Sequence, residues 1–470
     1  MSSSFILSII VAYFLVLVLI SYITGKSDSN NSFFLGDKKS PWYIVAFGMV
    51  GASLSGVTFI SVPGWVATSE FSYMQMVLGY LLGYLVIATV LMPLYYRMNL
   101  TSIYGYLKQR FGNSSYKTGA SFFLLSRVIG AAFRLYLVAN VLQMAIFDAW
   151  GVPYAVTVMV TILLIWVYTF RSGIKTIIWT DTLQTLFMLL AVGVSVYLIS
   201  DDMNLSFTAL VSTVKQSDYS QIFFWEGKQH FIRQFLSGAF IAIVMTGLDQ
   251  DMMQKNLSCK NLGDAQKNMF WFSIVLVIVN LLFLSLGALL YMYAADKGIV
   301  FNKADDLFPA VALDGRLGIG VGVFFILGLI AAAYSSADSA LTSLTTSFCI
   351  DILDFNDENT EGQVKQRKLV HLSFSIVLVL VILVFKAIND DSVIASLFKV
   401  AGYTYGPLLG MYAFGLFTRW QVKDKFVPAV ALLSPIACYV LQLYYPFGFE
   451  LLILNGLLTF IGLFILRTSE

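Results

Sequence analysis

The stretch from Ala331 to Thr346 carries oxygen-bearing side chains with the spacing of a cation site. Ser335, Asp338 and Ser339 are separated by steps of three and one residues, which places two hydroxyls and a carboxylate on one face of a helix. Oxygen ligands without sulfur or imidazole suit a hard cation, and sodium that must be released again needs weak, partly neutral ligation. Alternatively, the hydroxyls bond back to carbonyls one turn earlier, a role that the carboxylate cannot take.

Five charged side chains lie inside otherwise apolar segments, where a charge is costly unless it faces a cavity or a partner. They are Arg127, Arg134, Asp181, Asp338 and Lys399. One interpretation is a set of internal ion pairs that only hold helices together. Five such residues in one chain favour instead a polar site within the apolar region.

A third signal is the run from Gly48 to Gly56, which reads Gly-Met-Val-Gly-Ala-Ser-Leu-Ser-Gly and precedes Pro63. This much glycine and serine weakens a helix, so the run predicts a break that frees backbone carbonyls as ligands. Small residues also let membrane helices pack closely, and composition alone does not separate the two interpretations.

The composition indicates that an integral membrane domain positions these residues. The 470 residues are 58% hydrophobic and 12% charged, with a mean hydropathy of +0.80, whereas soluble domains are about a quarter charged. With no polar block long enough to fold separately, residues 1–470 are predicted to be one all-α membrane domain. A net charge of +2 gives no field for nucleic acid, and two His with three scattered Cys argue against an enzymatic metal centre.

Thirteen segments come close to the roughly 20 apolar residues that a transmembrane helix needs. They are Phe5 to Thr24, Trp42 to Ser69, Ser72 to Tyr96, Thr118 to Phe147, Val152 to Phe170, Thr176 to Ser200, Phe231 to Met253, Asn268 to Ala295, Leu317 to Ile350, Leu369 to Ile388, Val393 to Thr418, Phe426 to Tyr445 and Leu451 to Leu466. In the eleventh, Gly406-Pro407 predicts a kink.

The basic residues between these segments predict an orientation, because cytoplasmic loops are enriched in Lys and Arg. With the N-terminus outside, nineteen basic residues lie on the inner side and seven on the outer side. We therefore expect the C-terminus in the cytoplasm, and the compact chain favours a bacterial inner membrane.

Six motif groups follow one another along the chain. They are Ser32-Phe33-Phe34-Leu35-Gly36, Gly51 to Thr58, Thr101-Ser102-Ile103-Tyr104 with Arg110-Phe111-Gly112, Gly173-Ile174-Lys175 with Trp179-Thr180-Asp181-Thr182-Leu183-Gln184, Asp249-Gln250-Asp251 with Gln254, and Ser335-Ser336. Their order and spacing resemble the sodium:solute symporter family, to which sodium/glucose, proline and sialic acid transporters belong.

The resemblance implies a LeuT-like core, in which five helices recur as an inverted repeat and broken helices hold a solute near the midplane. Residues 42–200 would form the first repeat and residues 231–418 the inverted second repeat. Residues 5–24 would be a peripheral first helix, and residues 426–466 two further peripheral helices.

The resemblance also implies sodium as the coupling ion. Carried over by motif, the family's main sodium site would use the backbone carbonyls of Gly51, Leu54 and Ala332. The hydroxyls of Ser335 and Ser336 would complete it.

Some family members have a second sodium site, which the resemblance transfers to Asp181, Ser335 and Ser339. This chain departs from the simplest pattern because Asp338 stands where those members can have serine. A second carboxylate would either strengthen cation binding or be protonated or paired, with Lys399 as the candidate partner.

A solute is expected above the sodium ion, against the broken part of the second span. There Ser53, Ser55 and Thr58 offer hydroxyls. Family position adds Tyr73 and Gln75 on the third span.

Arg127 and Arg134 are seven residues apart on one helix face, and Gly130 between them leaves room for a ligand. This spacing favours an anionic solute, such as an acidic sugar or another carboxylate. The alternative pairs the two arginines with Asp249, Asp251 or backbone carbonyls.

Together these features predict a monomeric, sodium-coupled symporter that imports a small organic solute by alternating access. Proton coupling is the nearest alternative, motivated by Asp181, Asp338 and Lys399. A transporter-like membrane sensor is the other alternative.

Overall fold

The computed structural model describes residues 3–25, 29–170, 173–355, 360–388 and 393–468, and these residues are almost entirely helical. Their α-helices are, in chain order, α1 (Ser3–Thr24), α2 (Asn30–Leu35), α3 (Trp42–Ser69), α4 (Tyr73–Val86), α5 (Met92–Arg97), α6 (Gly105–Arg110), α7 (Asn113–Leu142), α8 (Tyr154–Thr169), α9 (Ile174–Asp202), α10 (Phe207–Gln216), α11 (Phe231–Ala242), α12 (Gln250–Leu257), α13 (Leu262–Lys297), α14 (Leu307–Leu313), α15 (Gly318–Ser347), α16 (Glu361–Ile388), α17 (Val393–Thr404), α18 (Gly406–Phe417), α19 (Val427–Tyr444) and α20 (Leu451–Ile465). Four π-helical turns extend or join these helices, at Ile87–Leu91, Gln143–Phe147, Ile243–Gly247 and Phe348–Ile352. The strands β1 (Gln421–Val422) and β2 (Arg467–Thr468) pair antiparallel.

Nine helical runs within the described ranges are long and apolar enough to cross a membrane. The bent pair α11 and α12 adds a tenth candidate, and the apolar helices α8, α18 and α20 are shorter. Each of the thirteen predicted segments overlaps one or more of these helices. The all-helical membrane architecture is as predicted, whereas the number of spans stays a prediction because the three short helices fall below the roughly 20 residues of a full crossing.

The glycine- and serine-rich run breaks α3 where the sequence predicts it. Ser55 has φ 53° and ψ 175°, far from helical values and rare for a residue with a side chain. The same run also packs tightly, since a Cβ on Gly51 would lie 2.2 Å from Thr185 Oγ1 of α9. Both interpretations of its small residues are therefore correct.

A second break separates α11 from α12, whose axes differ by 64°. Asp249 caps α12 by accepting hydrogen bonds from the amides of Asp251 at 2.9 Å and Met252 at 3.4 Å. These bonds satisfy amides at the start of α12 that lack a partner within the helix. A third interruption, at Tyr405 between α17 and α18, matches the kink predicted from Gly406-Pro407.

The broken helix α3 lies at the centre of the bundle and packs against α9, α13 and α15. Around it, α4 packs against α11, and α7 packs against α15, α16 and α17. This arrangement brings both breaks next to α7 and α15, the helices that carry the predicted arginines and serines.

Candidate functional site

A cavity of about 90 Å³ lies beside the break in α3. Its wall includes Ser53, Ser55 and Thr58, the three hydroxyl residues that the sequence predicts against the solute. Since one ordered water needs about 10–15 Å³ of such space, the cavity in this conformation holds a few water molecules or a small organic molecule.

Three tyrosines of α4 form a second wall of this cavity. Tyr73 was predicted, and its hydroxyl is 3.1 Å from the hydroxyl of Tyr80. Tyr80 and Tyr84 were not predicted, although positions 73, 80 and 84 share one helix face by spacing alone. That periodicity is the signal that sequence reasoning missed.

The remaining wall is mainly apolar and comes from α11, α12, α13, α17 and the π-helical turn that follows α11. It consists of Ile241, Ala242, Met245, Thr246, Met252, Leu276, Asn280, Leu397 and Phe398. A largely apolar wall with a few polar groups is typical of a small-molecule site.

The two predicted arginines both line the cavity but differ in their partners. Arg127 is buried and forms an ion pair with Asp251, as the alternative interpretation had it. Arg134 is 8% exposed, and its Nε has no hydrogen-bond partner among the described residues. The Nε of Arg127 is also without a partner there, but Arg127 has its ion pair with Asp251, whereas Arg134 forms no ion pair among the described residues.

Gln75, the other predicted residue of α4, is buried but does not line the cavity. Its amide donates to the carbonyl of Gln229 at 2.9 Å and accepts from the amide of Phe224 at 3.1 Å. These bonds hold the loop before α11, so the structure does not bring Gln75 to the predicted solute position.

The hydroxyls of Ser335 and Ser336 are buried in α15, and neither has a hydrogen-bond partner within the described ranges. Thr345 and Thr346 of the same helix do bond back to carbonyls one turn earlier, at 2.7 and 2.9 Å. The two serines thus leave buried oxygens unsatisfied, which costs about 1–3 kcal/mol each. Such oxygens fit a bound cation.

The predicted backbone ligands of the main sodium site lie on the two helices that meet here. Gly51 and Leu54 are buried in the turn before the break of α3, and Ala332 is buried in α15, which packs against α3. The last four carbonyls of a helix lack regular partners within it, so a break at Ser55 favours free carbonyls in this turn. The ligand set itself stays a prediction.

Three of the residues predicted around the second sodium site, Asp181, Asp338 and Ser339, have separate partners, whereas Ser335 has none among the described residues. Asp181 forms an ion pair with Lys255, with Nζ 2.7 Å from Oδ2 and both side chains 1% exposed. Asp338 accepts a hydrogen bond of 2.8 Å from the hydroxyl of Tyr168. Ser339 donates to Asp251 rather than to either of these carboxylates.

The expected pairing of Asp338 with Lys399 is wrong, because Lys399 is exposed on α17. The buried ammonium next to these carboxylates is that of Lys255, which the sequence interpretation assigned to a cytoplasmic loop. It was missed because the predicted span ended at Met253, whereas α12 continues to Leu257.

Unpaired polar groups also surround the two carboxylates. Asp181 Oδ1, Asp338 Oδ1, the hydroxyl of Tyr13 and both amide atoms of Gln184 are buried without a hydrogen-bond partner in the part of the chain described. Electrostatic interactions link Tyr13 to both Asp181 and Asp338, so the first helix reaches this cluster.

Membrane-length helices, two of them broken beside a cavity with unpaired polar groups, define a secondary transporter that binds its ligands within the bundle. The model of the family described as "Sodium:solute symporter family" matches residues 33–421, and the chain belongs to that family. This confirms the resemblance seen in the sequence motifs.

Individual relatives agree with the family assignment. The chain is 24% identical to the sodium/sialic acid symporter NanT of Aliivibrio fischeri, over 85% of this chain and 80% of that protein. It is also 24% identical to the human sodium/iodide cotransporter, over 84% of this chain and 62% of that protein. The fold resembles a substrate-bound, outward-open Na⁺-coupled sialic acid symporter, with a TM-score of 0.84, 20% identity and 99% of each chain covered.

The chain is therefore a sodium-coupled solute symporter, a multi-pass membrane protein that binds a small solute and a sodium ion. Its family is one of transporters rather than enzymes. Of the alternatives considered from sequence, family membership supports sodium-coupled symport over proton coupling or a sensor.

Proposed function

We propose that this symporter imports a small organic carboxylate, bound in the cavity with its negative charge on Arg134. The observation that carries this proposal is the buried guanidinium of Arg134, which lines the cavity, leaves its Nε without a hydrogen-bond partner and, unlike Arg127, forms no ion pair among the described residues. Leaving such a donor unpaired is costly, and a carboxylate is its best-matched acceptor. Arg127 is already paired with Asp251, so we assign it a structural role and not the binding of the solute.

The proposed class of solute includes short carboxylates and acidic sugars such as sialic acid, because the cavity of about 90 Å³ is that of one conformation. The relatives named above that carry sialic acid and iodide are consistent with an anion. Tyr73, Tyr80 and Tyr84 supply hydroxyls and ring faces for the rest of the solute.

Transport requires two access states, and the two breaks support an inverted repeat as their basis. Each break lies in the first helix of a predicted repeat, α3 in residues 42–200 and α11–α12 in residues 231–418. In this scheme, residues 5–24 and 426–466 pack outside the moving core. Sodium binds at Gly51, Leu54, Ala332, Ser335 and Ser336. The protein works as a monomer in a bacterial inner membrane, with its N-terminus outside and its C-terminus in the cytoplasm.

Thermal unfolding of the purified protein tests this proposal, because a ligand that binds only the folded state raises the midpoint. The panel is acetate, lactate, pyruvate, sialic acid, glucose and proline, each in sodium chloride and in potassium chloride. We expect stabilisation by a carboxylate in sodium only, and loss of that effect in Arg134→Gln.

Lys399→Gln is the matched control, because it removes one positive charge from an exposed position on α17. It should respond to the carboxylate as the unmodified protein does. Stabilisation by glucose, which has no carboxylate, without an effect of any carboxylate would rule out the proposed solute class, and so would an unchanged carboxylate effect in Arg134→Gln.

A further inference from the structure

The carboxylate of Asp181 is the centre of the predicted second sodium site, yet an ammonium group already lies on it. Lys255 Nζ is 2.7 Å from Asp181 Oδ2, and both side chains are 1% exposed. We propose that Lys255 takes the place of a second sodium ion, so that the protein binds a single sodium. This inference rests on the main sodium site of the proposed function and concerns its stoichiometry.

Because Lys255 is fixed on α12, its ammonium stays close to the carboxylate of Asp181. The helix begins at the cap formed by Asp249, and the hydroxyl of Ser258 donates to the carbonyl of Lys255 at 2.6 Å. From this fixed backbone the side chain reaches across to α9. A tethered group has a much higher effective concentration than the same group free in solution, so sodium must compete with an ammonium that does not diffuse away.

Repulsion between like charges supports the same inference. Electrostatic interactions link Asp338 to both Asp181 and Lys255, so the ammonium lies close to both buried carboxylates. A sodium ion on Asp181 would lie beside this ammonium, and like charges within a few ångströms repel strongly where water is excluded. Lysine and sodium therefore exclude one another at this carboxylate.

One of the two hydroxyls expected in a second site is also engaged elsewhere. Ser339 donates to Asp251, which in turn holds Arg127. Recruiting Ser339 to a cation near Asp181 would leave a buried carboxylate oxygen of Asp251 short of a donor.

The test counts sodium ions bound to the purified full-length protein, using ²²Na⁺ without any solute. We expect one sodium per unmodified protein and two per Lys255→Gln, because removing the ammonium frees Asp181. The sodium dependence of stability should change accordingly, because the slope of the stabilisation free energy against RT ln[Na⁺] at high sodium approaches the number of bound ions, one in the unmodified protein and two in Lys255→Gln. Lys255→Arg keeps the charge and should bind one, and Lys399→Gln removes a charge from an exposed position and should also bind one.

Two sodium ions on the unmodified protein would overturn the inference, and so would one on a folded Lys255→Gln. If Lys255→Gln does not fold, Asp181→Asn decides. We expect it to keep the single sodium, whereas loss of that sodium would show that Asp181 is a sodium ligand despite Lys255. An unmodified protein that binds no sodium would instead refute the main sodium site, which separates that failure from the failure of this inference.

Discussion

The two helix breaks of this symporter differ in whether the polar groups beside them already have partners. Near the break in α3, Ser55 lines a cavity, and Ser335 and Ser336 on the neighbouring helix leave their hydroxyls without partners among the described residues. At the break between α11 and α12, Asp249 accepts from Tyr405 at 2.5 Å and Asp251 accepts from Arg127 and Ser339. The first break offers unsatisfied neutral oxygens, whereas the second offers charges that are already paired.

This difference indicates a division of labour. Unsatisfied buried oxygens gain most from an incoming ligand, because their hydrogen-bonding capacity is otherwise lost. Paired buried charges instead hold together the helices that carry them, because separating the two charges leaves each one buried without a partner. We infer that the α3 break binds and that the α11–α12 break holds the surrounding helices together in this state.

The largest expected effect comes from breaking the ion pair beside the second break. Asp251→Ala removes the partner of Arg127 and leaves a buried guanidinium without compensation, a change that typically costs about 3–5 kcal/mol. Thermal unfolding of the purified protein in potassium chloride measures it. Arg127→Gln combined with Asp251→Asn should recover part of the loss, because it removes both charges together. A fall no larger than that of Lys399→Gln would show that the second break is not held by this pair.

A somewhat smaller effect is expected from adding a side-chain atom where α3 packs against α9 beside the first break. Gly51→Ala places a Cβ 2.2 Å from Thr185 Oγ1, so α3 and α9 must separate, at about 1–3 kcal/mol for overpacking. Gly193→Ala in α9 is the matched control, because a Cβ there meets no atom within 4 Å. Thermal unfolding should distinguish the two variants, and equal midpoints would contradict the close approach of the helices.

Ser335→Ala tests the role of the unpartnered hydroxyls near the first break. The hydroxyl of Ser335 bonds to no described residue, and removing an unsatisfied buried hydroxyl relieves its cost, so the variant should be at least as stable as the unmodified protein in potassium. Loss of one cation ligand should weaken sodium binding by about tenfold, which corresponds to about 1.4 kcal/mol. Titrating sodium against thermal stability measures this. A stability loss of equal size in potassium and sodium would mean that the hydroxyl serves packing alone.

The smallest effect belongs to an ion pair outside both breaks, in which Arg233 at the start of α11 holds Glu450 just before α20. Partial burial alone would raise the pKa of Glu450, but hydrogen bonds from backbone amides and from Arg233 outweigh it and lower the pKa below the usual 4.5. A lowered pKa contributes stability above 4.5 that is lost as the pH falls through the folded-state value.

Glu450→Gln should therefore lower the unfolding midpoint slightly at pH 7, by less than about 1 kcal/mol for a partly exposed pair. The difference from the unmodified protein should shrink below pH 4.5, where the unmodified Glu450 begins to take up a proton. A difference that stays constant between pH 7 and pH 3 would contradict the ion-pair explanation.

The composition of short segments was enough to predict the helices and two of their interruptions. Apolar length predicted the helices, and the glycines and serines around Ser55 predicted the first break. The Gly406-Pro407 pair likewise predicted the interruption at Tyr405. Each of these follows from how well a short segment forms or continues a helix.

Partnerships between distant residues were not predictable in the same way. Asp181 and Lys255 are 74 residues apart, and Lys255 was assigned to a loop because the predicted apolar span ended at Met253. Gln75 was placed by family position, but its bonds to Phe224 and Gln229 hold a loop whose path the sequence does not reveal. Such pairings depend on which helices become neighbours, and residue type alone does not specify this.

The ion pair between Lys255 and Asp181 also has a consequence for energy coupling. A symporter that carries one sodium with one monocarboxylate moves no net charge, so the membrane voltage does no work on it. A tenfold sodium gradient, about 1.4 kcal/mol, then limits accumulation to roughly tenfold. A second sodium would add another 1.4 and about 2.3 kcal/mol per 100 mV, raising the limit to roughly several thousandfold. With the proposed single sodium and a monocarboxylate as solute, one buried lysine would make uptake independent of voltage and would set how far the solute can be concentrated.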